Sequence, residues 1–484
     1  MPLSLSVVDA RFYVREVRTR LPFRFGAETV ESFPLLHLAL EVQSGNAAST
    51  GYAGDNLLPK WFDKDPTKNA ERNVEDLLLS AEIAAEVYRA AGEAPSLFAL
   101  WREAYPECQR RAQVAGLNKL VGAFGSALFE RAAIDALGRR HGASLRELLL
   151  EDGIGLRPEE VHRETGPDHV RAWLSAAPAP SLALRHTIGL LDPLSDAELG
   201  EGAPDDGLPR TLSDYVRQQG LRYFKLKLGG DVLADLLRLE SIAIVLDSLI
   251  SESYHASLDG NEQYKSLDAL LKLWAFIGKS PKLARLRAAL LFLEQPLPRR
   301  AALDPEAAAG IAAIGRELPV IIDESDDDPQ SFKAALALGY AGVSSKNCKG
   351  VIKSFLNRTL VEARRARGES VFMSAEDLTN LPIVPLQQDL ATVRLLGIEH
   401  VERNGHHYVR GLDHCSNAER EQALQRHGDL YERVDGGAVL SVRGGRLKVG
   451  SLETPGYGVA LEPDLDAMIP LETWKRRRAQ HTVR

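Results

Sequence analysis

The chain has 484 residues, 44% of them hydrophobic, and this length predicts about three domains unless one large α/β barrel takes up about 250 residues. The net charge of −8 at pH 7 has the wrong sign for a protein that binds nucleic acid or an anionic membrane, so we expect neither partner. Three widely spaced cysteines without a CxxC pair indicate neither a disulfide framework nor a thiolate zinc site, and they fit a reducing cytosol.

The start of the chain does not resemble an export signal. It alternates in polarity and carries charges at Asp9 and Arg11, so it has no continuous apolar region. No window reaches about 18 uninterrupted apolar residues, the length that a membrane span needs. We therefore expect a cytoplasmic protein.

The first 150 residues predict an α+β unit in which strands precede helices. Apolar residues alternate over residues 3–17 and form a strand-length run over residues 34–44, which predicts two strands. The segment between them, PFRFGAETVESF, is expected to be a loop. From residue 74 to about residue 150 the apolar residues recur at helical spacing.

A regular alternation of strands and helices begins near residue 182. Eight short apolar runs end in polar residues: SLALRHTIG, LRYFKLKLGG, YHASLDGNE, ALLFLEQP, LPVIIDES, YAGVSSKNCKG, SVFMSAED and GIEHVERNGHH. The ends of the second to seventh runs are 23 to 35 residues apart, close to the ~30 residues of a βαβ unit. Eight such units fill a (β/α)8 TIM-type barrel, which we predict over residues 182–412.

Two further segments depart from this alternation. The sequence AVLSVRGGRLKVG predicts a hairpin around Gly444 and Gly445. The tail over residues 413–484 is too short to fold alone, so we expect it to pack on the N-terminal unit or on the barrel. The Asp-, Gly- and Pro-rich insert over residues 193–210 is expected to be a surface loop.

The residues that end the barrel runs are nearly all charged, and in a barrel enzyme these positions build the active site. Lys225 and Lys227 lie two apart on one strand, so both are expected to point into the barrel mouth. Neighbouring ammonium groups lower each other's pKa, which makes a lysine a usable base near neutral pH. Lys346 ends the sixth run, which predicts a second base on the opposite face of a substrate.

Three carboxylates end the third, fourth and fifth runs: Asp259, Glu294 and Asp323. Carboxylates this close would repel one another, and a hard divalent cation with oxygen ligands relieves the repulsion. Mg2+ is the expected cofactor. A carbon acid beside a metal-bound carboxylate could then lose its proton to one lysine and regain it from the other, through an enediolate.

Five motifs in this order, FKLKLGG, LDGNEQY, FLEQPL, IIDES and SSKNCKG, resemble the enolase superfamily and, within its mandelate racemase/muconate lactonizing enzyme family, the muconate lactonizing enzyme-like subgroup. PFRFG, FGSALFERAAIDALGRRHG and TPGYGVALEPD resemble that family's capping domain, which both termini assemble. The resemblance implies an α/β fold with a (β/α)8 barrel and an α+β cap. The cap would combine residues 1–150 with the segment 413–484.

The resemblance also implies a role for each charged residue. Lys227 would be one base, with Lys225 lowering its pKa and contacting the substrate carboxylate, and Lys346 would be the opposite acid or base. Asp259, Glu294 and Asp323 would hold Mg2+. The implied partner is a small-molecule carboxylate, and the family usually forms homo-oligomers, as dimers or octamers.

Three outcomes stay open for the reaction. Racemisation, epimerisation or cycloisomerisation is favoured, because lysines on opposed strands can remove and return a proton. A lyase reaction, in which an acid loses a β-hydroxyl after the same proton abstraction, is the alternative. A barrel that binds a metal or carboxylate without turnover is the third reading.

Several polar residues around this set are candidates for support or substrate contact. Asn261 and Glu324 follow two proposed ligands and are interpreted as partners of ligands or lysines. The seventh run carries Glu376 but no His where the mandelate racemase group has its base. On the eighth run, Glu402 resembles a carboxylate of the subgroup, although a surface position is as well supported.

Two further candidates for substrate contact are His406, on the eighth run, and Arg24, in the cap. His406 and its neighbour His407 point to opposite faces if the strand continues, so at most one contacts substrate. Arg24 lies in a cap segment near residues 20–30 that, in this family, folds over the barrel mouth. It would meet an anionic distal group of the substrate, and packing between the domains explains it equally well.

Overall fold

In the computed structural model, the backbone is described for residues 1–25 and 28–482 and the side chains for residues 1–21 and 31–480. An antiparallel sheet with packed helices lies beside a closed parallel barrel. The cap begins with the strands β1 (Ser6–Phe25), β2 (Glu28–Ser44) and β3 (Ala47–Asn56) and continues with the helices α1 (Ala70–Ala90), α2 (Leu97–Val114), α3 (Lys119–His141), α4 (Leu145–Leu150) and α5 (Pro167–Leu174).

The cap helices begin where a short polar side chain can accept a backbone hydrogen bond. Asn69, Ser96, Asn118 and Ser144 do so at the first residues of α1 to α4. Helix α3 is buried over nearly its whole length, because the cap sheet, α1 and α2 surround it.

The segment predicted to be a loop between the first two strands is mostly strand. β1 runs through Phe25 and β2 begins at Glu28, so the hairpin is longer than the apolar pattern indicated. Pairing resumes at Phe23 with Val30 after an irregularity that follows Arg18. Backbone hydrogen bonding that continues from the paired parts of β1 and β2 thus extends both strands into a segment whose apolar and polar residues do not alternate strictly.

The barrel strands are β4 (Ser181–Ile188), β5 (Tyr223–Lys227), β6 (His255–Asp259), β7 (Leu290–Glu294), β8 (Val320–Ile322), β9 (Gly342–Ser345), β10 (Phe372–Ala375) and β11 (His400–Arg403). Each pairs in parallel with the next, and β11 pairs with β4 to close the cylinder. Every one of the eight predicted runs contains one of these strands. The TIM-type barrel with an α+β cap is therefore confirmed.

The helices between the barrel strands are α6 (Leu212–Gln219), α7 (Val232–Leu249), α8 (Leu267–Lys279), α9 (Ala284–Ala288), α10 (Arg299–Ala302), α11 (Ala308–Gly315), α12 (Ser331–Ala337), α13 (Val351–Arg365) and α14 (Val384–Leu395), and α15 (Gly405–Tyr408) follows β11. None of the described helices is long and apolar enough to cross a membrane. The three cysteines are buried and free.

The C-terminal segment contacts both units. It contains α16 (Asn417–Arg426), β12 (Tyr431–Val434), β13 (Gly437–Leu440), β14 (Arg446–Lys448), β15 (Ile469–Pro470) and α17 (Leu471–Thr482). Strand β14 pairs with β4 at the barrel, and β15 pairs with β1 in the cap sheet. The tail therefore ties the cap to the barrel.

The hairpin predicted around Gly444 and Gly445 is only partly correct. Both glycines have positive φ and form a tight turn, which a single bridge from Arg443 to Arg446 closes. The flanking residues then separate, because β13 pairs with β12 and β14 pairs with β4. The two-residue hairpin with a full ladder lies instead at Asp435 and Gly436, both with positive φ, as such turns require.

Helix α3 packs so closely on α1 that one position there must be glycine. A Cβ at Gly125 would lie 2.1 Å from the carbonyl oxygen of Ser80. We expect Gly125→Ala to lower the free energy of unfolding by about 1–3 kcal/mol, because backbone atoms must move. Gly278→Ala in α8, where the nearest atom is the end of Arg287 at 3.5 Å, is the matched helical control and should raise it by about 0.5–1 kcal/mol. Thermal unfolding measures both, and a neutral Gly125→Ala would contradict the packing.

Candidate active site

A cavity of about 580 Å³ opens at the carboxyl ends of the barrel strands. A cap segment that follows β3 and contains Leu58 and Trp61 forms part of its wall. Of the predicted site residues, Lys227, Lys346, Asn261, Glu376 and Glu402 line it. In other barrels of this type, active-site residues lie at this end, where the parallel strands end.

Lys225 lies at the centre of the charged cluster beneath the cavity. Its Nζ atom is 2.6 Å from Glu376 and 3.0 Å from both Asp259 and Glu294. Burial opposes the charged form, but these carboxylates outweigh it and raise the pKa of Lys225 well above its ordinary value. Only 1% of the side chain is exposed, so Lys225 contacts the neighbouring carboxylates and has almost no access to solvent.

Lys227 is the more accessible lysine of the pair, with 26% of its side chain exposed. Its Nζ atom donates to Asp259 Oδ2 at 2.5 Å. Burial lowers the pKa of Lys227 and Lys225 lowers it further, but Asp259 outweighs both, so the net direction is upward. Lys225 therefore lowers the pKa of Lys227 as predicted, but the net shift is upward, opposite to the lowered pKa that the sequence analysis expected for a base near neutral pH.

Lys346 follows β9 and is held from two sides. Its Nζ atom is 2.6 Å from Asp323 and 3.0 Å from Glu376, and it lies 4.3 Å from the centre of the Trp61 ring. A cation over an indole face gains electrostatic stabilisation. A cap residue therefore contacts one of the predicted bases directly.

Lys349 belongs to the cluster but was not predicted from the sequence. Its Nζ atom donates to Asp323 Oδ1 at 3.0 Å and to the Ser344 carbonyl at 2.7 Å. Asp323 thus binds Lys346 through one carboxylate oxygen and Lys349 through the other. Lys349 lies in a turn after the strand, where side-chain alternation gives no signal.

Glu376 lies at the centre of the site rather than at its edge. One carboxylate oxygen from each of Glu294, Asp323 and Glu376 lies within 4.8 Å of the other two. Ser344 donates to both Glu294 and Glu376, at 2.7 and 3.1 Å. Burial and the charge of Glu376 raise the pKa of Glu294 well above its ordinary value, despite Lys225.

These carboxylates fit a divalent cation. All three offer hard oxygen donors, and a metal–oxygen distance of about 2.1 Å requires ligand oxygens about 3–4 Å apart. Glu294 Oε2 is buried and accepts no hydrogen bond from the described residues, although Lys225 is 3.0 Å away. Asp259, predicted as a ligand, lies outside this closest group and binds Lys225 and Lys227.

Asn261 and Glu324 contact each other at the edge of the charged cluster. Asn261 Nδ2 donates to Glu324 Oε1 at 2.7 Å, and its backbone N–H donates to Asp259 at 2.7 Å. Lys64 of the cap lies 3.1 Å from Glu324. The pair therefore links a cap lysine to the carboxylate that holds Lys227.

Glu402 faces the site and is buried. One oxygen accepts a hydrogen bond from the Thr187 hydroxyl, and the other is 3.7 Å from Lys225. The alternative surface position is therefore wrong for Glu402.

His406 packs against the rings of His186 and Tyr215, with centroids 5.3 and 5.5 Å away, and lines a separate cavity of about 30 Å³. It is therefore not brought together with the lysines. The side chain of Arg24 lies outside the described residues.

Comparison with known proteins identifies the fold. No family model and no curated protein matches the sequence. Among solved structures, a muconate lactonizing enzyme from Pseudomonas fluorescens complexed with muconolactone is 15% identical, with a TM-score of 0.56 over 96% of this chain and 98% of that chain. The fold is that of the enolase superfamily.

Two further structures show the same likeness. The L-Ala-D/L-Glu epimerase from Bacillus subtilis is 13% identical, with a TM-score of 0.55 over 94% of this chain and 99% of that chain. An enolase from Bradyrhizobium complexed with magnesium and mandelic acid is 18% identical, with a TM-score of 0.55 over 96% and 98%. At these identities the likeness concerns the fold.

Removing a carboxylate from this candidate metal site should weaken the binding of a divalent cation. We expect Glu294→Gln and Asp323→Asn each to lower Mn2+ affinity at least tenfold, because both residues belong to the sequence-predicted ligand set and to the closest group of oxygens. Titration calorimetry and Mn2+ electron paramagnetic resonance measure the affinity. Glu107→Gln, which removes a carboxylate of the cap helix α2 that pairs with Arg110 and Arg111, is the control and should change it less than threefold.

The identity of the third ligand distinguishes the ligand set predicted from the sequence, which contains Asp259, from the group with the closest oxygens, which contains Glu376. A tenfold loss in Asp259→Asn supports the ligand set predicted from the sequence, and the same loss in Glu376→Gln supports the group with the closest oxygens. Undiminished affinity in both Glu294→Gln and Asp323→Asn would contradict a metal site here. Circular dichroism of each variant controls for folding.

Proposed function

We propose that the protein is a Mg2+-dependent isomerase that removes the α-proton of a carboxylate substrate through an enediolate, in a racemisation, epimerisation or cycloisomerisation. The observation that carries this proposal is the placement of Lys227 and Lys346. Lys227 is the last residue of the second of eight barrel strands, β5, and Lys346 follows the sixth, β9, and these two strands lie opposite each other in the closed cylinder. Both line the same cavity.

Opposed lysines suit a reaction that changes configuration at one carbon. In such a reaction one lysine, once it has lost its own proton, takes the proton from the carbon, and the ammonium group of the other lysine donates one, so the carbon is reprotonated from the opposite side. Lys227 is held by Asp259, while Lys346 is held by Asp323 and Glu376. These ion pairs fix both Nζ atoms at the floor of the cavity.

The carboxylate cluster supports the choice of Mg2+. Glu294 and Asp323 would hold it, with Asp259 or Glu376 as the third ligand. When bound, Mg2+ supplies positive charge that stabilises the enediolate left by proton removal. The Bradyrhizobium enolase, which has this fold, was solved with magnesium and mandelic acid, a carboxylic acid.

Isotope exchange tests the reaction. Candidate acids are incubated with the protein and Mg2+ in D2O, and loss of the α-proton is followed by NMR. We expect exchange for at least one member of a panel of amino acids, dipeptides, N-acyl amino acids and sugar acids. Water loss with formation of a 2-keto acid would favour a lyase instead, and Mg2+ and ligand binding without exchange across the panel would favour a binding protein.

Single-lysine variants test the two-base arrangement on a substrate found this way. We expect Lys227→Met and Lys346→Met each to reduce racemisation at least 10³-fold, because each removes one proton carrier. Each variant should keep exchange with only one of the two configurations, since one lysine remains. Lys68→Met, which removes a cap lysine that is paired with Asp63 and Asp76, is the control. Equal loss of both configurations in one variant only would contradict opposed bases.

A further inference from the structure

The cavity has a charged floor and an apolar outer wall. Besides the lysines, carboxylates and other polar residues, its lining includes large apolar side chains that come from four separate segments. They are Leu58, Trp61, Leu190, Leu191, Leu228 and Leu378. A volume of about 580 Å³ is within the range of small-molecule sites and exceeds what a carboxylate head group needs.

Two consecutive leucines at the rim are unusually exposed. Leu190 is 46% exposed and Leu191 is 63% exposed, in the turn after β4. Single exposed leucines are common on protein surfaces. Two in succession on the wall of an active-site cavity form instead an apolar patch that a bound group can cover.

The turn that carries these leucines is anchored at its base. The Gly189 backbone N–H donates to the Asp192 carboxylate at 2.7 Å, and the Tyr408 hydroxyl donates to the same carboxylate at 3.0 Å. Arg238 donates to the backbone carbonyls of Gly189 and Asp192. The leucines are therefore held in place before a ligand binds, which lowers the entropic cost of binding.

The two cap lysines on the outer wall, Lys60 and Lys64, already donate hydrogen bonds within the protein. Lys60 Nζ donates to the backbone carbonyls of Asp65 and Lys68. Lys64 Nζ is 2.7 Å from Glu262 and 3.1 Å from Glu324. Protein oxygens therefore already engage both ammonium groups, and the Asp192 carboxylate on the same wall would repel a second anionic group of the ligand.

We propose that the site takes a monocarboxylate whose distal part is a large, uncharged, apolar group, and that Leu190 and Leu191 set this preference. The proposal rests on the function proposed above for the choice of a carboxylate head group. The head group lies at the charged floor, and the apolar part extends along the leucines to the rim. Each methylene removed from water then adds to affinity.

Binding of simple acids tests this preference without turnover. Titration calorimetry of the Mg2+-loaded protein with butanoate, hexanoate and octanoate should show a dissociation constant that falls about three- to fourfold per methylene. Octanedioate, which has the length of octanoate and a second carboxylate, should bind at least tenfold more weakly. A dissociation constant independent of chain length, tighter binding of octanedioate, or no saturable binding of any of these acids would overturn the proposal.

Variants at the rim locate the preference. The double variant Leu190→Ser with Leu191→Ser should reduce the gain per methylene to less than twofold, and Leu191→Lys should bring octanedioate to within threefold of octanoate. Leu150→Ser, at the end of α4 and 48% exposed in the wild-type chain, is the matched control and should leave the series unchanged. An unchanged series in the double variant would overturn the assignment to these leucines.

The failure of this proposal is distinguishable from the failure of the proposed function. Isotope exchange with a short or dianionic acid, combined with a flat chain-length series, would leave the isomerase in place and overturn the apolar preference. A steep series without exchange on any acid, including long-chain N-acyl amino acids, would overturn the isomerase and retain the apolar site.

Discussion

The buried ammonium of Lys225 makes the charged centre of the barrel possible. Barrel interiors of this type are usually filled by branched apolar side chains. Here Lys225 contacts carboxylates from three other strand ends, Asp259, Glu294 and Glu376, within 3.0 Å. Without it, three carboxylates would share a dry interior, where an unpaired charge costs several kcal/mol. The lysine from the second strand therefore allows the third, fourth and seventh to end in acids.

Much of the barrel was predictable because its strands are buried on both faces. In the sequence such strands are continuous apolar runs, and each run ends at a polar residue where the strand reaches the barrel mouth. Lys227, Asp259 and Glu294 are the last residues of β5, β6 and β7, as the runs indicated. The same apolar runs therefore predicted both the barrel and the charged residues at these three strand ends.

The central role of Glu376 was missed although a signal existed. Ser374 and Glu376 lie two apart after the same apolar run, as Lys225 and Lys227 do, so both share the inward face. Applying the rule of alternation to the seventh run as strictly as to the second would have placed Glu376 at the centre. Lys349 offers no such signal, because it lies in a turn whose direction the tertiary contacts decide.

The pairing of the shortest strands could not be predicted. β14 has three residues and β15 has two, and each pairs with a strand that lies hundreds of residues away in the chain, β4 and β1 respectively. A pattern of so few residues does not specify a partner. The packing of the completed cap and barrel determines their partners. Tertiary pairing likewise determines how far the long β1–β2 hairpin extends.

The apolar wall and the charged floor depend on each other physically. A ligand that covers Trp61 and the leucines would exclude water from the cavity, and the lower effective dielectric would strengthen every lysine–carboxylate interaction beneath them. Yet the floor is internally paired: Lys227 binds Asp259, and Lys346 binds Asp323 and Glu376. A substrate carboxylate must compete with these pairs, so its charge alone contributes little net affinity. Under the preference proposed above, the apolar wall would add to the free energy of binding and leave the charged groups available for chemistry.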